Sequence, residues 1–225
     1  MSLFPTIPPF SSADAIVTFT ASAVSISDLT AYTFSGVAIG TASADRKVVV
    51  AVGTAAGVAA ADGVASITVG GISATLVVQT VPPLGDEAQV ELWQADVPTG
   101  TTADIVVTWN GAHSRCGIGV WAVTGAGTGA TDTVEDNSGT ASETGTIDVP
   151  AGGVLIAAVV HGGASVITHT WTGPTERYDE TIEGNNAHSG ASLAYATAQT
   201  GLTVTATFST AVNAGAMVGA AWGPA

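Results

Sequence analysis

The chain has 225 residues and a formal net charge of −14, from 18 acidic and 4 basic side chains. With so few lysine and arginine residues it has no basic patch, which excludes binding to nucleic acid or to an anionic membrane through charge neutralisation. The single cysteine excludes an internal disulfide and a zinc site built on cysteines.

Residues 1–14 are rich in proline, serine and aromatic side chains, which is typical of an extended arm. We expect Phe4, Ile7 and Phe10 to pack on a neighbouring subunit, and a flexible tail is an equally good interpretation. The segment lacks a basic region and its prolines interrupt the apolar residues, so it does not resemble a secretory signal. We therefore expect synthesis in a cytoplasm.

From residue 15 onward the sequence predicts β-strands almost without interruption, because threonine, valine and isoleucine are frequent and turn residues recur. Gly70-Gly71 is a hairpin-turn signal. The best helical candidate is residues 55–61, which Gly57 weakens. The predicted strands are residues 15–20, 32–39, 46–52, 66–69, 72–79, 90–95, 104–109, 117–123, 145–149, 154–160, 167–171, 192–196, 202–208 and 216–222.

Two halves of the chain share one pattern. Leu-x-x-Ala-x-x-x-Thr-Gly occurs at residues 92–100 and again at 193–201, and the strands that follow also match. We predict repeat halves at about 30–127 and 143–224, joined by a surface loop at 125–143. Since each half alone would bury a thin core, the sequence favours a single all-β domain across residues 15–225.

This domain is predicted to be an antiparallel two-sheet β-sandwich, jelly-roll-like and built from the two repeated halves. The strands at 117–123 and 216–222 are rich in small residues, so we expect them at its centre, where backbones approach closely. Trp121 and Trp222 are then expected to fill the remaining core volume.

No motif of nucleophilic or phosphate chemistry is present, so we predict no catalytic residue, no metal site and no enzymatic activity. His113 and Cys116 lie three residues apart, a poor arrangement for a nucleophile, and are interpreted as a loop histidine and a buried cysteine. His161 and His169 flank a short loop and could share a metal. No acidic ligand stands beside them, so polar strand-end residues are the favoured interpretation.

Two acidic clusters and two aromatic residues complete the candidates. Clustered carboxylates can bind Ca²⁺, but neither of the two acidic clusters has the residue spacing of a calcium-binding loop. Solvated charge is therefore favoured, and no cofactor is predicted. Trp171 and Tyr178 are the best candidates for exposed aromatic rings that face a ligand such as a sugar. The acidic clusters are Asp132, Glu135 and Asp136, and Glu176, Asp179, Glu180 and Glu183.

Several segments together resemble a β-rich protein type of tailed bacteriophages and phage-derived regions of proteobacterial genomes. The resemblance spans about residues 30–225 and includes Ile67-Thr-Val-Gly-Gly-Ile-Ser-Ala-Thr and Trp171-Thr-Gly-Pro-Thr-Glu-Arg-Tyr-Asp. Such proteins are regarded as virion components, and they offer no catalytic motif to transfer to this chain. The other matching segments are residues 32–46, 97–107, 115–125 and 188–194.

The resemblance implies a non-enzymatic structural protein of a phage or phage-like particle, located in the virion after synthesis in a bacterial host cytoplasm. It would decorate or stabilise the capsid, or form a head or tail spike on the outer surface. The expected partners are other virion proteins and further copies of the chain, with a trimer favoured. The alternative is a carbohydrate-binding adhesin or receptor-binding domain of a tail fibre or a cell surface.

Overall fold

The computed structural model describes residues 13–55, 63–80, 88–137, 141–162, 167–184 and 186–225, without the side chains of residues 55 and 112–114. These residues contain strands and no helix, which confirms the all-β prediction. Within them, no helix is long and apolar enough to cross a membrane. The strands are β1 (Ile16–Ala38), β2 (Lys47–Ala55), β3 (Val64–Val69), β4 (Ile72–Ser73), β5 (Thr75–Gln79), β6 (Ala88–Asp96), β7 (Thr102–Thr124), β8 (Asp132–Asp136), β9 (Ser142–Val149), β10 (Gly153–Gly162), β11 (His169–Thr172), β12 (Thr175–Glu183), β13 (Asn186–Tyr195), β14 (Gln199–Phe208) and β15 (Ala214–Trp222).

The described strands pair antiparallel and form three sheets. The first sheet has the order β4-β3-β7-β2-β6-β5, and β1 also pairs with β7. The second has the order β12-β13-β10-β15-β8, and the third has the order β11-β14-β9. The antiparallel prediction is confirmed, whereas the more specific prediction of two sheets is not confirmed by this pairing.

Strands β1 and β7 are each 23 residues long and pair along their length. Each joins two segments that the sequence analysis predicted as separate strands. The register of the pair shifts between Ser25 and Asp28, and Arg115 adopts a φ of 75°. Such β-bulges bend a strand without ending it, so one strand can follow a curved sheet. The position of His113, which was interpreted as a loop residue, therefore lies within a strand.

The acidic segment predicted as a surface loop between the halves is in part a strand. Residues Asp132–Asp136 form β8, which pairs with β15 so that Val134 lies opposite Gly219. Val134 is buried, and Gly219 leaves room for its side chain, because a Cβ there would lie 2.9 Å from Val134 Cγ1. Val134 is the one large apolar residue in the sequence Asp-Thr-Val-Glu-Asp of β8, so this segment gave no period-two signal strong enough to predict a strand.

Three apolar clusters form the core. One lies between the first and second sheets and contains Trp121 and Trp222, both fully buried, which confirms their predicted place. A second lies within the curved first sheet around Tyr32 and Trp109. The third lies between the second and third sheets around Phe208. The first cluster connects the two halves of the chain. Its residues come from β2, β6 and β7 in the first half and from β10 and β15 in the second half.

The predicted hairpin at Gly70-Gly71 is confirmed. These residues link β3 to β4 with φ angles of 59° and 81°. Two consecutive positive φ angles are those of a type I′ turn, which favours glycine at both positions. The predicted helix at residues 55–61 starts within β2, and its remaining residues lie outside the described part of the chain.

Close packing at the centre depends on small residues, and Gly119 on β7 is the sharpest case. A Cβ at this position would overlap the buried ring of Tyr178. Because neighbouring rings hold Tyr178, we expect Gly119→Ala to lower the free energy of unfolding by about 1–3 kcal/mol. Urea denaturation measures this value. Gly129→Ala is the matched control, because nothing lies within 4 Å of a Cβ there; equal stability of the two variants would contradict the packing.

Candidate functional site

A group of three polar side chains lies at one end of the second and third sheets. His161 is near the end of β10, His169 begins β11 and Asp179 is on β12. Residues Leu155, Ala157 and Val159 precede His161 at two-residue intervals on the face that forms the third apolar cluster. The side-chain alternation of a strand therefore directs His161 into the same interior. We call His161, His169 and Asp179 the histidine cluster.

Hydrogen bonds fix the position of His169 in this cluster. Its Nδ1 lies 2.7 Å from Asp179 Oδ1, and its backbone N–H donates to Asp179 Oδ2 at 2.9 Å. Because a carboxylate only accepts, Nδ1 carries the proton in this bond. The ring centres of His161 and His169 are 5.0 Å apart, and Phe208 packs against both rings. The two imidazoles are thus held close together, with their planes inclined by 45°, beside the apolar ring of Phe208.

Burial controls the charge of the cluster. It lowers the pKa of His161 to about 4, and the neighbouring His169 acts in the same direction. Burial alone would raise the pKa of Asp179, but the hydrogen bonds from His169 outweigh it and place that pKa below its ordinary value. At neutral pH the cluster therefore contains a neutral His161 and an ionised Asp179.

Three ring nitrogens in the cluster have no hydrogen-bond partner among the residues that the structure describes. They are Nδ1 and Nε2 of His161 and Nε2 of His169, and all three are buried. A neutral imidazole has one N–H donor and one nitrogen lone pair. Buried polar atoms in native proteins nearly always have a partner, so these atoms are suited to a ligand that accepts nitrogen lone pairs. Among the described residues, no group of three or more histidine, cysteine, aspartate or glutamate side chains has the arrangement of a metal site.

His188 occupies a different environment, between the first and second sheets. Its ring packs edge-on to Tyr178, and the Tyr178 hydroxyl lies 3.2 Å from His188 Nε2. Burial lowers the pKa of His188 to about 3. Gly53 and Gly117 leave the space for this ring, because a Cβ at either would lie within 3.1 Å of it. His188 is therefore a neutral core residue at the contact between sheets.

The two predicted ligand-facing aromatics differ in their positions. Tyr178 is buried, and its ring stacks on Phe19 at 5.4 Å and contacts Trp121, so the prediction of a surface position is wrong. A bulge in the pairing of β12 with β13 next to Tyr178 sets which face its ring occupies, and the sequence did not signal that bulge. Trp171 is partly buried, and its Nε1 donates to Ser189 Oγ at 2.9 Å. The structure does not bring these two rings together on a surface.

The remaining candidate residues are spread over the molecule. Cys116 is fully buried on β7, and burial raises the pKa of its thiol, which makes it unreactive. Asp132 and Asp136 on β8 accept backbone N–H groups of Asp148 and Thr144 on β9, so these carboxylates join two strands. The predicted assembly residues Phe4, Ile7 and Phe10 lie outside the described residues.

Glu91 and Arg46 are among the buried charged residues that were not singled out from the sequence. Glu91 is fully buried and accepts hydrogen bonds from Val64 N, Gln89 Nε2 and Trp93 Nε1. Burial raises the pKa of Glu91 despite these donors. Arg46 is equally buried and donates only to backbone carbonyl oxygens. Since every oxygen of Glu91 is in use, this group has a structural part in the first sheet.

The acid at the histidine cluster was also missed. The sequence analysis placed no acidic ligand beside His161 and His169, whereas the structure puts Asp179 in contact with His169. The two residues are ten positions apart and belong to different sheets, so only the tertiary fold brings them together. Neither the scan against protein-family models nor the search of curated proteins finds a match for this chain. The resemblance to phage virion proteins therefore stays a prediction.

Proposed function

We propose that this protein is a non-enzymatic structural component of a phage or phage-like particle, which decorates or stabilises the capsid or forms an outer spike. The observation that carries the proposal is an apolar, exposed stretch on β1. This long strand pairs only with β7 among the described strands, so its other edge is available. An exposed strand edge is a template for pairing with another chain.

The side chains of this edge favour association. Ile26 is 62% exposed, and Val24 and Leu29 beside it are also exposed. Soluble monomers seldom display several large apolar side chains in one place, and such patches mark contacts with other proteins. Between residues 22 and 31 the only charged side chain is Asp28. We propose a second copy of this chain as the occupant, in a closed ring with a trimer as the favoured form.

The distribution of cations supports an outer position for the protein. Arg46 and Lys47 are buried, and Arg115 is paired with Glu183. Arg177 is the remaining basic residue of the sequence and contacts Ser192. The surface is therefore strongly acidic, which disfavours contact with packaged nucleic acid or an anionic membrane. We accordingly propose virion proteins as partners and the outside of the particle as the location.

Equivalent strand pairings support the proposal of two repeated halves. Strand β2 pairs with β6 and β7 in the same way that β10 pairs with β13 and β15. The pairings β5–β6 and β3–β7 correspond to β12–β13 and β11–β14. The two ends of β1 on β7 correspond to β8 on β15 and β9 on β14. The two halves would then build one jelly-roll-like sandwich domain, which the first apolar cluster favours because both halves contribute to it.

Replacing Ile26 tests the assembly surface. We expect Ile26→Asp to convert an oligomer into a monomer in sedimentation velocity, because a charge in the middle of the contact must lose its water. Ile72→Asp is the matched control, since Ile72 is 41% exposed on β4, a different edge strand. A monomeric wild-type protein would overturn the proposal, and so would dissociation caused by Ile72→Asp alone.

The carbohydrate-binding alternative has lost one of its two aromatic residues, because Tyr178 is buried. It now depends on Trp171, whose Nε1 already donates to Ser189. No observation favours this alternative over the structural role.

A further inference from the structure

We infer that His161 and His169 together bind one divalent transition-metal ion of the class that imidazole nitrogens favour, with Zn²⁺ as its representative. The inference is independent of the proposed assembly function, because the histidine cluster lies in the interior and not on β1. It starts from the three buried ring nitrogens that have no hydrogen-bond partner within the described part of the chain.

The spacing of the two rings suits a shared ion. Their centres are 5.0 Å apart, with planes inclined by 45°. Imidazole nitrogens bind Zn²⁺ at about 2.0–2.1 Å, and two such rings on one tetrahedral ion have centres about 5 Å apart. The distance between the two ring centres is therefore the one expected when a nitrogen of each histidine binds the same ion.

Asp179 prepares His169 for this task. Its carboxylate accepts the proton of His169 Nδ1, which leaves the lone pair on Nε2, one of the three unpartnered nitrogens. A carboxylate that holds the second nitrogen of a metal-binding histidine orients the ring and raises its basicity. The side chain of Asp179 is 18% exposed, so the cluster lies one side chain below the surface.

His161 offers a lone pair from either nitrogen. Its ring is fully buried, and its cross-strand partner is Gly215 on β15. A Cβ at Gly215 would overlap the carboxyl group of Glu143, so the absence of a side chain leaves room for this buried acid on the same interior face.

The described residues provide two nitrogen ligands and no group of three or more ligating side chains. Water is therefore expected to complete the coordination, as in sites that keep open positions. Such a site binds more weakly than a closed four-ligand zinc site, and removal of the ion with a chelator is expected to lower the Tm without unfolding the protein.

A titration of the full-length wild-type protein with Co²⁺ and with Zn²⁺ tests the inference without any variant. We expect one Co²⁺ per chain with visible absorption bands, competition by Zn²⁺, and a Tm that rises with Zn²⁺ concentration. Long-range ¹H–¹⁵N spectra are expected to show Zn²⁺-dependent shifts of two histidine ring nitrogens. Unchanged ring-nitrogen signals at saturating Zn²⁺ would overturn the inference and indicate that the cluster holds water only.

Two pairs of variants locate the site. Asp179→Asn is expected to weaken metal affinity by roughly 10–100-fold, as removal of a supporting carboxylate does elsewhere. Asp148→Asn is its control, because Asp148 accepts a backbone N–H far from the cluster. His161→Gln is expected to abolish one-to-one binding, whereas His188→Gln retains it. Retained binding in folded His161→Gln, or equal loss in His188→Gln, would contradict the assignment.

Discussion

Arg46→Met is expected to lower the free energy of unfolding by about 3–5 kcal/mol, because each buried polar group left without a hydrogen-bond partner costs about 1–3 kcal/mol and four carbonyl oxygens lose their donor. The guanidinium is 1% exposed and donates four hydrogen bonds, all to backbone carbonyl oxygens. Methionine fills a similar volume but leaves these oxygens without a donor inside the protein. The acceptors are Val97 and Gly40 at 2.8 and 2.7 Å, and Gly100 and Thr99 at 3.0 and 2.7 Å.

Urea denaturation followed by tryptophan fluorescence measures the effect. Arg177→Met is the matched control, because Arg177 is exposed and its hydrogen bonds to described residues go to Ser192, and a change within about 0.5 kcal/mol is expected there. Arg46→Lys is expected to recover part of the loss, since an ammonium group reaches fewer of the four carbonyls. If the two methionine variants lost the same amount of unfolding free energy, the hydrogen bonds of Arg46 to the four carbonyl groups would not stabilise the fold as expected.

Acidification from pH 7 to pH 5 is expected to destabilise the protein by about 4 kcal/mol, with about 2 kcal/mol from each of His161 and His188. Burial lowers their pKa values to about 4 and about 3 in the folded state. The unfolded chain therefore binds protons first as the pH falls below about 6.5. Their contribution is fully present above that pH and is lost progressively down to about pH 4 for His161 and about pH 3 for His188.

Unfolding free energies measured in urea at several pH values between 7 and 5 give this dependence directly. In the double variant His161→Gln and His188→Gln, the loss of stability over this interval is expected to be much smaller than in the wild-type protein. A single variant should remove about half of it. The account would be contradicted if the double variant kept the full pH dependence, because the protons would then be taken up elsewhere.

The sequence predicted the strand content well because its signals are local. Threonine and valine alternate in β14, glycine pairs mark a tight turn, and the small-residue strands carry a single large tryptophan each. These features specify which residues face the core within one strand. The burial of Trp121 and Trp222 and the Gly70-Gly71 hairpin follow from them.

The features that sequence reasoning missed depend on contacts between distant segments. Bulges let β1 and β7 continue through residues that look like loops, and nothing in residues 20–32 signals that continuity. The contact between His169 and Asp179 joins two sheets. Arg46 stands before a buried strand as a lone cation, and its burial depends on carbonyl groups more than fifty residues later. Such arrangements arise only when the whole fold is present.

The claim that β1 is the assembly surface is central to this account. Hydrogen–deuterium exchange of the wild-type protein, followed at concentrations below and above the onset of association, tests it most directly. We expect amides in residues 22–31 of β1 to become protected on association, while those of β5, at the opposite edge of the first sheet, keep their exchange rates. Protection confined to other segments, or no change at any concentration, would contradict the claim.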